Sequence, residues 1–163
     1  MYFFALTRSS DPPVSTTDYS YLGYSPYKMD PKYRVSIPTA WRPAAGEVLF
    51  LLSSKTHDMP VIKVLSKKAY NERRENVKNS DLTPLKKNAL LGSLSMLCRE
   101  ASVNDQGKLL VPKDLSEEVG ISAESEVILV GRDVHFEVWN KENHARALQI
   151  ERSQNDTYEL DVL

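Results

Sequence analysis

Apolar and polar residues alternate through Val35, Ser36 and Ile37, and the alternation stops at Pro38. Period two is the signature of a strand with one face buried. A proline has no N–H to give, so it ends the ladder there. The same pattern returns at an offset of 74 residues, where "DPKYRVSIP" (30–38) falls on "NDQGKLLVP" (104–112). A turn, a cation, three strand residues and a proline recur in order. Two further blocks repeat as well. "GEVLFLLSS" (46–54) matches "SEVILVGRD" (125–133) at an offset of 79, the second copy having five extra residues in the preceding loop. "VIKVLSKKAYNE" then matches "HFEVWNKENHAR" at 74 again. Such self-similarity means two copies of one supersecondary unit.

Each copy reads as strand, short helical or irregular turn, strand, hairpin, strand and helix. The continuous apolar runs "VLFLL" and "VILV" predict strands covered on both faces. Asp58-Met59-Pro60 and Gly131-Arg132-Asp133 are the expected hairpin turns. A charged helix is expected over 66–79, its cationic side a solvated face. A second helix is expected in the segment 80–100, with Thr83 as N-cap and Pro84 as first residue. Leu85, Ala89, Leu90, Leu94, Leu97 and Cys98 fall near one side of it, which predicts a core-facing stripe with Cys98 as a small core residue. The organisation is then an N-terminal extension over 1–20, a first domain over 21–79, a connecting helix over 80–100, a second domain over 101–148 and a mobile acidic tail over 149–163. A copy of about 50 residues is near the lower limit for a core of its own. Pairing the copies as pseudo-twofold mates, two β-rich half-barrels flanked by helices, buries both apolar faces.

Charge changes the picture more than composition does. The 163 residues carry a net −1, which by itself speaks against a polyanion partner. Residues 1–88, however, hold 14 Lys and Arg against 8 Asp and Glu, and residues 89–163 hold 7 against 14, balances of +6 and −7. A chain polarised in this way can still offer one basic face to nucleic acid. Its single cysteine excludes an intramolecular disulfide and fits a reducing cytoplasm. No apolar run approaches membrane-spanning length, no signal peptide is recognisable, and no His, Cys or carboxylate spacing suggests a metal. No phosphate loop or nucleophile elbow points to an enzyme, a small-molecule substrate or a cofactor.

"YLGYSPYKMDPKYRVSIPTAWR", followed by "VNDQGKLLVPKDLSEEVGI" and "VILVGRDVHFEVWN", resembles the MraZ family of bacterial transcriptional regulators, built from tandem SpoVT-AbrB-type domains. The resemblance covers residues 21–148. It implies a mainly β fold with flanking helices, a pseudo-twofold pair of AbrB-like swapped-hairpin (double-split barrel) units. It further implies a ring-like homo-oligomer in the cytoplasm and nucleoid. Its partner would be double-stranded DNA, at short direct repeats in the promoter of the division and cell-wall gene cluster that includes its own gene. The family's D-x-x-x-R motif falls on Asp30 and Arg34, with Tyr33 where glycine is usual. The second copy has Asn104 and Lys108 in its place and keeps Gly107.

A carboxylate beside a guanidinium can fix its fork and leave other N–H donors for a phosphate or a guanine edge. Lysine is a mobile point charge without a planar fork. The expected DNA-binding residues are therefore Arg34 held by Asp30, with Lys28, Lys32 and Lys108 adding positive field. The second copy is expected to contribute electrostatics at most. The competing reading is a non-DNA oligomeric interaction module or antitoxin-like partner protein, which the worn second motif and the acidic second half would suit.

Overall fold

The structure, a computed structural model, describes residues 20–158. Residues 1–19 and 159–163, most of the extension and the end of the tail, lie outside the described residues. The chain runs β1 (Tyr24–Lys28), β2 (Arg34–Ser36), a 3-10 turn (Thr39–Trp41), β3 (Leu49–Thr56), β4 (Met59–Ser66), α1 (Lys67–Lys78) and α2 (Pro84–Leu97). It continues through β5 (Cys98–Ala101), β6 (Lys108–Leu110), α3 (Lys113–Glu118), β7 (Glu126–Gly131), β8 (Phe136–Asn140) and α4 (Lys141–Tyr158).

Six strands form an antiparallel sheet in the order β1-β7-β8-β4-β3-β5, and β2 and β6 form a separate antiparallel ribbon. The order is a palindrome under the 74-residue repeat: β1 corresponds to β5, β7 to β3 and β8 to β4. β1 of the first copy pairs with β7 of the second, and β5 of the second pairs with β3 of the first. The central pair puts Ile62 opposite Val138, Val64 opposite Phe136, and Lys63 opposite Glu137, its own counterpart. In the ribbon Val35 faces its counterpart Leu109. A pseudo-twofold axis therefore passes through both layers. The sheet is open, ending at β1 and β5, and does not close into a barrel.

Alternation along the strands divides the apolar residues between two faces of the sheet. Leu49, Leu51, Ile62, Val64, Val127, Leu129, Phe136 and Val138 meet Val35, Ile37, Leu109 and Val111 of the ribbon, with Trp41 and Leu115 between them, in one core drawn from both copies. Ile128, Val130, Val61 and Trp139 turn the other way, against Ala147 of α4. Leu52 and Leu65 pack on Ala69 of α1. The helices start alike: Ser66 accepts from the Ala69 N–H, and Asn140, its repeat counterpart, accepts from the Asn143 N–H. Each satisfies one otherwise unpaired donor of a first turn. Gly131 is required by a close approach, since a Cβ there would lie 2.3 Å from the Tyr21 carbonyl oxygen.

Several expectations need correction. The β3–β4 turn is His57-Asp58, both left-handed with φ 51° and 62°, and Met59 and Pro60 already belong to β4, opposite Thr56 and Lys55. Two successive left-handed residues match the twist of the flanking strands. α2 begins at Pro84 with Thr83 as its cap, but no residue on it is buried, and Leu85 and Met96 are 80% and 75% exposed. Leu90, Leu94 and Leu97 share a side of the helix, but Leu85 and Met96 lie on another, and of the α2 residues only Leu94 packs into the α1 cluster. Cys98 is not helical; it opens β5, half-buried beside that cluster. Residues 149–158 do not form a loose tail but continue α4, where Glu151 accepts from both terminal nitrogens of Arg132.

That ion pair belongs to a polar network at the centre of the sheet. Glu137, 2% exposed, accepts from Arg132 Nε and Trp139 Nε1, each at 2.8 Å. Burial pushes its carboxyl up, but the nearby His135 ring, Arg132 and Trp139 outweigh that and hold it at about 2. Burial also pushes the Lys63 ammonium down. No helix among the described residues is long and apolar enough to cross a membrane.

Candidate nucleic-acid interface

The turn before β2 is built on the Asp30 carboxylate. Its Oδ1 accepts the backbone N–H of Lys32 and of Arg34, both at 2.8 Å. Its Oδ2 accepts Arg34 Nε at 2.8 Å. One carboxylate thus shapes the turn and grips the guanidinium leaving it, while the Arg34 side chain stays one-third exposed. Partial burial pushes the Asp30 carboxyl up, but the bonds from Arg34 and Lys32 hold it below its usual value. It is a carboxylate at neutral pH. Only Nε of the guanidinium is engaged by Asp30, which leaves the terminal nitrogens as the donors to meet a partner.

The second copy keeps the turn. Asn104 Oδ1 accepts the N–H of Gln106 and of Lys108, both at 3.0 Å, because an amide oxygen serves as well as a carboxylate for backbone donors. Tyr33 and Gly107 occupy the same left-handed position at φ 61° and 77°. The twofold joins the turns: Val111 N–H donates to the Tyr33 carbonyl, and Ile37 N–H donates to the Gly107 carbonyl. Lys108, which Asn104 cannot hold as an ion-pair partner, reaches across the ribbon, its Nζ 4.0 Å from Asp30 Oδ2. Arg34 and Lys108 thereby share one carboxylate, and the site belongs to both copies.

Two of the expected residues stand differently. Lys32 lends its backbone to the turn while its side chain is exposed. Lys28 ends β1 opposite Glu126, where it helps Lys141 lower the Glu126 carboxyl; it is not joined to the Arg34–Asp30 pair.

Arg42 is a residue that sequence reasoning missed. Its Nε donates to the Ile37 carbonyl at 2.8 Å, and its guanidinium lies over the second turn, where a Cβ on Gly107 would fall 2.2 Å from its Cζ. Its repeat counterpart is Ser116, which donates to the Val111 carbonyl at 3.2 Å. The two turns therefore make opposite use of one space. A small Gly107 admits the long Arg42, whereas Tyr33 at the matching position packs its ring against the core. The offset of 74 pairs Arg42 with Ser116, and that pairing was the available signal. Among the described residues no group of three His, Cys, Asp or Glu could hold a metal ion.

This geometry can be set beside known proteins. Transcriptional regulator MraZ of Dehalococcoides mccartyi is 28% identical over 122 residues, 75% of this chain and 83% of that protein. Transcriptional regulator MraZ of Caldicellulosiruptor saccharolyticus is 26% identical over 146 residues, 86% of this chain and 99% of that protein. Over most of its length the chain is similar to these MraZ regulators. A third member, from Caldanaerobacter subterraneus subsp. tengcongensis, is 29% identical over 121 residues. No family model matches the chain. The first-copy residues that carry the MraZ resemblance, Asp30 and Arg34, are joined by two hydrogen bonds of 2.8 Å.

Proposed function

We propose that this chain is a sequence-specific DNA-binding transcriptional regulator, and that the β2–β6 ribbon is its reading element. The observation that carries the proposal is Arg34, braced by Asp30 through Nε at 2.8 Å on a ribbon whose other turn sends Lys108 to the same carboxylate. A pre-oriented guanidinium loses little freedom on meeting a guanine edge or a phosphate. The names of the relatives agree with this reading. In finer detail, the interleaved strands are those of a swapped-hairpin SpoVT-AbrB pair. The chain assembles as a ring-like homo-oligomer in the cytoplasm, associated with the nucleoid. It binds short direct repeats upstream of the division and cell-wall genes, its own among them. Arg34 reads bases, while Lys32, Lys108 and Lys28 add field along the backbone. A ring sums modest contacts over spaced repeats.

Mobility shift against the DNA upstream of its own gene tests this. Arg34→Ala is expected to lose about 1–3 kcal/mol per reading site; equal affinity for variant and wild type overturns the assignment. A second reading, a protein-binding module, draws on α2, whose Leu85, Leu90, Met96 and Leu97 are exposed. Salt separates the two. Binding through Z phosphates weakens with a log–log slope of about −0.9Z, whereas a salt-insensitive complex with a co-purifying protein supports the second reading.

A further inference from the structure

We propose that Leu110 is a specificity-determining residue, set beside Arg34 to touch the C5-methyl of a thymine in the major groove; this rests on the DNA reading above. Val35 and Leu109 are fully buried, so alternation turns Arg34, Ser36, Lys108 and Leu110 to the opposite, outward side of the ribbon. The register pairs Arg34 with Leu110 and Ser36 with Lys108. The ladder bonds at Tyr33–Val111 and Ile37–Gly107 make these two the non-hydrogen-bonded pairs, in which facing side chains approach most closely.

Leu110 is 52% exposed and belongs to none of the apolar clusters. Its outward neighbours are an arginine, a serine and a lysine. That setting suits a polyanion carrying one small apolar feature better than an apolar protein surface. The major groove admits a two-stranded ribbon, and thymine's methyl is the apolar group that the base pairs present there. With the Arg34 fork on a guanine, Leu110 falls on an adjoining pair.

The twofold counterpart of Leu110 is Ser36, and that of Arg34 is Lys108. One end of the ribbon therefore offers a guanine fork and a methyl contact, and the other a point charge and a hydroxyl. A ribbon that is symmetric in backbone reads DNA with a direction, as repeats in one orientation require.

The test uses the full chain and the upstream duplex that shifts in the mobility assay, with thymines replaced one at a time by deoxyuridine. The replacement removes the methyl and leaves base pairing intact. Wild type is expected to lose about fourfold in affinity at one thymine per reading site, the worth of one buried methyl. Leu110→Ala is expected to bind thymine and uracil duplexes equally. Wild-type binding indifferent to every replacement overturns the inference, as does a Leu110→Ala protein that still discriminates. A Leu110→Ala protein of lowered oligomer mass and unchanged discrimination also overturns it, by placing Leu110 between subunits. If no upstream duplex is bound at all, the DNA reading itself falls, and this inference with it.

Discussion

Glu137 lies beside the pseudo-twofold axis, opposite Lys63, and replacing it with glutamine makes a quantitative test of the polar network around it. Its carboxyl, 2% exposed, is at about 2 in the folded chain against an ordinary 4.5. At about 1.4 kcal/mol per pH unit, that difference corresponds to about 3 kcal/mol of folding stability. A depressed carboxyl contributes fully above its unfolded value and loses the contribution as pH falls. The stability is therefore present above about pH 4.5 and disappears between there and about pH 2. Glu137→Gln retains an acceptor oxygen for Trp139 and Arg132 but removes the charge, so that Glu151 is the carboxylate left to balance the Arg132 guanidinium. The variant should lose about 3 kcal/mol at pH 7, within the range for breaking one side of a buried pair. Urea unfolding followed by tryptophan fluorescence, at fixed protein concentration because assembly adds its own stabilisation, measures this from pH 7 to pH 3. The wild-type and variant curves should converge as pH falls. A variant as stable as wild type at pH 7, or a gap unchanged at pH 3, would refute the reasoning.

The site makes predictions of its own. Asp30→Asn should leave the fold intact, since Asn104 already makes the same turn with an amide, but should free Arg34. Circular dichroism melts should match wild type while the preference for specific over scrambled DNA in anisotropy titrations falls; an undiminished preference would remove Asp30 as the brace. Lys108→Ala should weaken binding evenly across sequences and reduce the salt slope by about one, seen in a salt series of binding isotherms. Gly107→Ala must put a side chain at φ 77° beside the Arg42 guanidinium; about 1–2 kcal/mol of stability should be lost for the left-handed backbone alone. Thermal denaturation checks it, with Gly107→Asn as the milder comparison because asparagine tolerates that conformation.

Much of the fold is written locally. The alternation Val35-Ser36-Ile37, the prolines that close it and the apolar runs of β3 and β7 each define a strand from a few neighbouring residues, because strand period and burial are short-range properties. The 74-residue repeat carried more, since two copies too small for separate cores imply a shared one. The Asp30–Arg34 brace was equally legible, being a contact of four residues' separation within one turn. What the chain alone left open depends on which segments become neighbours. α2 has the apolar content of a core helix, but of its residues only Leu94 packs into the α1 cluster. Tyr33 looked out of place as a single residue; the fold packs its ring against the core, as it gives Gly107 to Arg42. Lys108 read as a source of positive field near Arg34, and the ribbon sets it 4.0 Å from Asp30, 78 residues away. The strands and the braced arginine are each written within a few residues, and the repeat in the likeness of two such stretches. That both copies hold one carboxylate, and that the ribbon's two ends differ, arises where the axis brings distant residues face to face.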